Sequence, residues 1–488
     1  MPAEYFPKSV EIVRFLPEII LTIVGTLLMV IEALAGKRWS AIYGHISLLG
    51  LSGALGATAY AYTTPGPAFS GMLMADGFAA FFRVLVISVG ILTVLASYRY
   101  LSREGVETGE YFALLLFSMV GQCVMVTANE LMMIFIGLEI SSIATYVLAG
   151  YLRDDPRGNE ASLKYFLLGS FATAFLLYGI AWIYGITGST SLVAIRSVIS
   201  SRSLAPSPVL VGLSAALIFV GLGFKVSGAP FQMWAPDVYQ GAPAPVTAFM
   251  SAGPKAAAFA VFLRIFMTAF EPIGAGWEPL VWLSALLSMT IGNFAALTQS
   301  NIKRLLAYSS IAHAGYVLVA VAARSDTGAA AAMFYLAAYA LMNVGAFAVV
   351  SHLAGKGEKS VGVDDFAGLA LRQPFTAAVL TIFLLSLIGV PLTGGFFGKF
   401  YIFKAALQSN LVWLTILGLL NSAVAAYYYL RILVVMYMRE PDAAATQVEP
   451  LGLGMRTALI LTALGTFFLG IFPTAVLNFA GKSAVLTR

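Results

Sequence analysis

Charge is scarce in this 488-residue sequence: Asp, Glu, Lys and Arg make up 10% of it, where a soluble globular domain carries about 25%. Together with 60% apolar residues and a mean hydropathy of +0.88, that shortage excludes an ordinary soluble enzyme. Cysteine is scarcer still, with Cys123 alone, and the three histidines, His45, His313 and His352, are scattered. Such a set does not supply the ligands of an iron-sulfur cluster or a structural zinc site, and no two histidines stand at helical spacing for haem. No metal or cofactor is therefore expected in the chain. The formal charge of +5 sits mostly between apolar runs, which suits anionic lipid headgroups and does not point to nucleic acid.

In place of charge there are apolar runs of roughly 20 residues, enough to cross a hydrocarbon core of about 30 Å. About fourteen recur, at roughly 17–35, 41–62, 78–98, 110–127, 130–150, 162–185, 208–229, 242–268, 277–298, 303–323, 327–353, 374–396, 399–436 and 455–480. The penultimate run is long enough to include the end of the twelfth helix. The expected fold is an all-α polytopic membrane protein without a soluble domain. MPAEYFPKSVEIVRFLPEII carries acidic residues and no small-residue cleavage site follows it, so the first span is expected to stay in place. Loops after odd-numbered spans hold Lys37, Arg38, Arg99, Arg103, Arg153, Arg157, Lys303, Arg304, Lys356, Lys359, Arg372 and Arg439, and loops after even-numbered spans hold only Arg196, Arg202 and Arg324. Because basic residues favour the cytoplasmic side, the odd loops are expected there and both termini on the other face, with Lys8, Arg14, Lys482 and Arg488 in mild opposition.

The sequence also resembles itself. EISSIATYVLAG from Glu139 matches YSSIAHAGYVLVA from Tyr308, VSGAPF from Val226 matches LIGVPL from Leu387, and VFLRIF from Val261 matches YYLRIL from Tyr428, in one order at a spacing of roughly 160 to 170 residues. Each copy contains five helices. Since five is odd, the second copy enters the membrane from the opposite side, the inverted repeat of secondary transporters, whose sites lie at discontinuous helices near the bilayer midplane. The expected organisation is three N-terminal helices over 1–105, copies over 106–270 (helices 4–8) and 271–440 (helices 9–13), and a fourteenth helix within 441–488.

Ionisable residues inside the spans are few: Glu139, Lys164, Lys225, Lys255 and Lys399, with His313 as a titratable companion. A charge at a helix centre costs about 2.5 to 3.5 kcal/mol on insertion, so each asks for a partner, water or a function. Lys225 lies in GLGFKVSGAPFQMWAP just before Gly228-Ala-Pro230, and Gly389-Val-Pro391 occupies the matching place before Lys399. A broken helix leaves carbonyls free to attract water and a cation. Burial and a nearby carboxylate act in opposite senses on a lysine's proton affinity, so a lysine at such a break can change protonation. Plainer readings stand beside this one. Glu139 can be bonded to serines for helix packing, Lys225 and Lys399 can snorkel from helix ends, Lys164 can be a cytoplasmic flank and His313 a packing residue.

The strings GLEISSIATYVLAGY, SLKYFLLGSFATAFLLYGI, GFKVSGAPFQMWAPDVYQGAPAPVTAFMSAGPKAA and NIKRLLAYSSIAHAGY resemble the antiporter-like membrane subunits of respiratory complex I, bacterial NADH-quinone oxidoreductase, and the similarity covers essentially the whole chain. The resemblance implies a proton-translocating subunit of the membrane arm without a redox centre of its own, in a complex expected to use NADH, FMN, iron-sulfur clusters and a quinone such as ubiquinone. It also implies a helix-five glutamate paired with a lysine on broken helix seven, a helix-eight lysine linked to one on broken helix twelve, a helix-six lysine and a helix-ten histidine. Those are Glu139 with Lys225, Lys255 with Lys399, Lys164 and His313. Lysine at Lys399, where the M branch usually carries glutamate, and an end at Arg488 without the L branch's lateral helix favour the N branch. Its expected neighbours are the K and M subunits, in the bacterial inner (plasma) membrane.

On this reading protons enter from the cytoplasm near Lys225, pass Lys255 and water, and leave by Lys399, while Glu139 holds Lys225 charged when it is near. The driving force must come from elsewhere in the complex, because each charge moved against 100 mV needs about 2.3 kcal/mol. One rival is a subunit of a multisubunit cation/proton antiporter, although sodium sites generally want carboxylate and carbonyl oxygens rather than lysines. The other is a passive subunit that only holds its neighbours together.

Overall fold

The computed structural model describes residues 7–35, 40–201, 206–440 and 449–485; Lys37, Arg38, Arg202 and Arg488 lie outside the described residues. The first block holds α1 (Ser9–Arg14), α2 (Leu16–Ala35), α3 (Ser40–Ala61), an antiparallel hairpin of β1 (Gly66–Ala68) and β2 (Leu73–Ala75), and α4 (Gly77–Glu104). Next come α5 (Gly109–Thr127), α6 (Leu131–Ala149), α7 (Pro156–Thr187), α8 (Leu192–Ser200), α9 (Pro208–Val226), α10 (Trp234–Gly241) and α11 (Ala244–Arg264). The remainder is α12 (Gly274–Leu297), α13 (Ile302–Ala322), α14 (Asp326–Leu353), α15 (Leu369–Arg372), α16 (Pro374–Ile388), α17 (Gly394–Gln408), α18 (Val412–Met438), α19 (Leu453–Ile471) and α20 (Pro473–Ser483).

Among the described residues, 12 helices are long and apolar enough to cross a membrane. Two expected spans are not among them as single helices. The second expected span is α3, of 22 residues, and the twelfth is divided into α16 and α17, of 15 residues each. The run expected at 399–436 is accordingly the end of α17, a turn, and most of α18. Exposed Ile143, Leu167, Phe171 and Leu464 cover the outer faces, where lipid replaces water and backbone groups are satisfied inside each helix. Helices α11, α13 and α14 are enclosed by the others and are buried almost from end to end.

Side chains set where these helices start. Glu130 accepts the Met132 and Met133 N–H groups at α6, Asp155 the Arg157 N–H at α7, Asn301 the Arg304 N–H at α13 and Ser325 the Gly328 N–H at α14. Two helix pairs then pack in the same way. A Cβ on Gly121 of α5 would stand 2.5 Å from Gly137 O and 2.4 Å from Ser141 N of α6, and one on Gly292 of α12 would stand 2.8 Å from Tyr308 O and 2.6 Å from Ala312 N of α13. Only hydrogen fits at these crossings, so glycine lets the backbones touch. Both crossings thus depend on a glycine set against the backbone of the next helix.

Both helix breaks are built from a left-handed residue followed by proline. Ser227 (φ 58°) ends α9, and the Gly228 N–H returns to Gly223 O at 2.8 Å. Gly389 (φ 96°) ends α16, where the Gly389 and Val390 N–H groups both reach Leu385 O at 3.0 Å. Pro230 and Pro391 then prevent the helix from resuming directly.

Candidate functional site

One face of α13 links two buried lysines. Lys255, 3% exposed, sits on α11 beside Pro254, which has no N–H to give the preceding turn. Its Nζ donates to Ser310 O at 3.2 Å and to the Ser310 hydroxyl, which also accepts from Tyr339 OH at 2.8 Å. Ser310, His313 and Tyr316 follow at three-residue spacing and therefore share a face, each about 4.5 Å further along the axis. His313 Nδ1 is bonded with Tyr335 OH, and Nε2 with Tyr429 OH at 3.1 Å. Lys399 Nζ lies 4.9 Å from the centre of the Tyr316 ring. It donates to Leu387 O at 3.0 Å, Ile388 O at 2.9 Å and Ser422 Oγ at 2.8 Å. The first two acceptors belong to the end of α16, whose last carbonyls have no partner within the helix. Lys399 also borders an open cavity of about 500 Å³ that Thr415, Ser422, Gln408 and Lys404 help to line.

Lys225 forms a second centre. It is buried in the last turn of α9, and its one hydrogen bond among the described residues goes to Tyr146 OH at 3.2 Å. Its Nζ also lies 5.0 Å and 5.3 Å from the ring centres of Tyr146 and Tyr165. Glu139 precedes Tyr146 by seven residues, two turns back along the same face of α6, and helical side chains lean in that direction. Glu139 is half-buried, its Oε1 is sealed from solvent without a hydrogen-bond partner, and no ion pair joins it to Lys225 among the described residues. Tyr146 thus contacts the lysine from the helix that carries Glu139.

Between the two centres lies a stack of rings. Trp234 lies face to face with Tyr165 at 4.4 Å, 5.2 Å from Phe224 and 5.9 Å from Tyr239, and the Tyr239 ring is 5.8 Å from Lys255 Nζ. The hydroxyls of Tyr239 and Tyr316 are buried without hydrogen-bond partners among the described residues.

Lys164 stands apart from this interior line. Its side chain is 40% exposed and pairs with Glu160 at 2.6 Å and with Asp237 of α10 at 2.8 Å. Asp237 also receives Arg304 at 2.6 Å. The lysine is thus tied to α10, the short helix after the first break.

Sequence reasoning did not find Tyr146, Asp237 or the pair of Lys303 with Glu358. Lys303, counted among the loop charges, is 1% exposed and meets Glu358, 7% exposed, at 2.5 Å. In NIKR and GKGEKS these residues read as ordinary loop ends; the acid in WAPDVYQG, just past a helix break, was the one available signal. At the opposite end of the bundle, Glu18 with Arg83 is a further buried pair, and Asp76 with Arg264 a partly buried one. Among the described residues no three His, Cys, Asp or Glu side chains come together where a metal ion could be held.

A family model described as NADH:quinone oxidoreductase/Mrp antiporter, TM, matches residues 128–425, more than half of the chain. NADH-quinone oxidoreductase subunit N 1 of Solibacter usitatus (strain Ellin6076) is 70% identical over 484 residues, 99% of either chain. NADH-quinone oxidoreductase subunit N of Trichlorobacter lovleyi is 44% identical over 98% of either chain. A chain of respiratory complex I from Thermus thermophilus with bound aureothin superposes with a TM-score of 0.81 at 35% identity, over 95% of this chain and 99% of that one. A chain of the Mrp complex from Dietzia sp. DQ12-45-1b reaches the same TM-score at 19% identity, which establishes a shared fold alone. With its buried lysines on broken helices and this identity along nearly its full length, the chain belongs to the NADH-quinone oxidoreductase subunit N family of antiporter-like membrane proteins.

Proposed function

We propose that the chain carries protons across the membrane along an interior line from Lys225 through Lys255, Ser310 and His313 to Lys399, with Glu139 acting on Lys225 by way of Tyr146. The observation that carries this reading is the Ser310, His313 and Tyr316 face of α13, which meets Lys255 at one end and Lys399 at the other. The partners of these lysines are hydroxyls and carbonyls. A lysine paired with a carboxylate is held charged, whereas one solvated only by neutral oxygens releases its proton without leaving an unpaired anion behind. Lys303, paired with Glu358, has the opposite surroundings and a structural role. The cavity beside Lys399 offers protons a way out, and the exposed network of Lys164, Asp237 and Arg304 lies at the other mouth.

The chain works as one subunit of a membrane complex. On our reading, subunits of the K and M type flank it, the odd-numbered loops face the cytoplasm and both termini face the periplasm of a bacterial inner membrane. NADH, FMN, iron-sulfur and quinone chemistry belongs to other subunits. The spans over 106–270 and 271–440 act as two inverted copies, each supplying one broken helix. The test is Lys225→Ala in the assembled complex, reconstituted in vesicles with a pH-sensitive dye inside. Proton uptake per NADH oxidised should fall; unchanged uptake would leave the chain as a passive scaffold.

A further inference from the structure

The break that follows Lys225 is held by a helix other than its own. Within residues 227–231, the Ser227 and Gly228 N–H groups bond to Phe224 O and Gly223 O in the last turn of α9, at 3.0 Å and 2.8 Å, and the Phe231 N–H bonds to Gly228 O at 2.8 Å. Ala229 differs. Its N–H donates to Ser288 Oγ at 2.8 Å and its carbonyl accepts from Ser284 Oγ at 2.6 Å. Ser284 and Ser288 are one turn apart on α12 and are 3% and 0% exposed. The Ser288 hydroxyl proton is committed to Ser284 O at 2.6 Å, so its free lone pair faces the Ala229 amide. Gly228 fits closely here as well, since a Cβ on it would lie 3.3 Å from Leu318 Cδ1 and 3.4 Å from Ser284 Oγ. The break before Lys399 differs: there the Gly395 N–H bonds to Ser386 Oγ of the adjoining α16.

We infer that Ser284 and Ser288 are positioning residues for Lys225, a two-point clamp through which α12 fixes the broken helix and so sets the reach of Lys225 to Tyr146. An irregular segment at membrane depth must have its backbone groups satisfied by protein or water. Direct bonds at both groups of one residue hold that residue in a single place, four positions from the lysine. Ser288→Ala removes the acceptor for the amide and leaves the lysine chemically untouched. The inference rests on reading Lys225 as a proton carrier, and the experiment separates the two.

Hydrogen exchange of the 226–231 segment is measured in the purified assembled complex, alongside proton uptake per NADH in vesicles, for Ser288→Ala, Ser284→Ala and Ser288→Thr. The expected result for each alanine variant is exchange at Ala229 faster by roughly tenfold, as loss of one buried hydrogen bond allows, with proton uptake lowered and the electron-transfer rate less affected. Ser288→Thr, which keeps the hydroxyl, should restore both readouts. Unchanged exchange in both alanine variants overturns the clamp. Faster exchange with normal uptake, where Lys225→Ala abolishes uptake, overturns the positioning role and leaves the proton-carrier reading standing. Normal uptake in Lys225→Ala overturns the carrier reading and the positioning role with it.

Discussion

Lys303 and Glu358 meet at 2.5 Å across the turn between α10 and α11, and each holds one side of it. Lys303 Nζ donates to Ala242 O at 2.6 Å, while Glu358 Oε1 accepts the Ala244 N–H at 2.7 Å and Tyr100 OH at 2.8 Å. The pair therefore caps the end of one helix and the start of the next. Breaking a buried ion pair by removing one member costs about 3 to 5 kcal/mol, because the other charge is stranded. Lys303→Met and Glu358→Leu should each lower the thermal midpoint of the assembled complex. Lys303→Met combined with Glu358→Leu should lose less than either. Thermal denaturation of the four proteins, run as a cycle, decides the matter; additive losses would mean that the two side chains act separately.

Tyr146→Phe keeps the ring beside Lys225 and removes the hydroxyl that the lysine donates to. Proton uptake per NADH should fall by roughly fivefold, the equivalent of about 1 kcal/mol for one hydrogen bond. If Glu139 acts through this tyrosine, Glu139→Gln should lower uptake in the wild-type background and add little in Tyr146→Phe. Equal effects in both backgrounds would show that the carboxylate reaches Lys225 by another route.

Gly395 is the tightest point of the second break, since a Cβ there would sit 1.9 Å from Ser386 O. Backbone cannot move aside as a side chain does, so Gly395→Ala should abolish assembly of the subunit into membranes. Gly212→Ala, with nothing within 4 Å of the added atom, should be silent. Immunoblots of membrane fractions compare the two.

Asp155 titrates outside the membrane. Partial burial pushes its carboxyl up, but the hydrogen bonds and charge of Arg157 outweigh that and hold it below its ordinary 3.8. A carboxyl depressed in the folded state contributes stability that is complete above its unfolded value and is lost as pH falls through the folded one. Asp155→Asn should therefore lower the thermal midpoint at neutral pH, and the gap from wild type should close as pH is taken below about 3.8. A gap independent of pH would assign the effect to the helix cap alone.

The buried lysines and the breaks were legible in the sequence because each lacks a local explanation: Lys225, Lys255 and Lys399 interrupt apolar runs, and a Gly two places in front of a Pro is a local stop, although at the first break the left-handed residue is Ser227, one place earlier. Tyr146 was not legible, since a tyrosine in a span reads as one more aromatic side chain until its hydroxyl is seen against an ammonium. Lys303 and Glu358 read as loop charges, because the partners that bury them are 55 residues apart. Hydropathy also placed Lys399 and α18 in one run, since the polar turn at Ser409–Leu411 is only three residues long and an averaged profile smooths over it. Sequence periodicity reports what a residue's own helix does, and these contacts lie between helices.

An ammonium group has three N–H donors, and Lys399 faces three oxygens: two carbonyls at the end of α16 and the Ser422 hydroxyl. A neutral amine has only two to offer. On the proposed path, each time this lysine gives up its proton one of the three oxygens loses its donor. On that path cargo and fastener are the same hydrogen, so at this position ion movement and the mechanical state of a helix end are counted in the same integer.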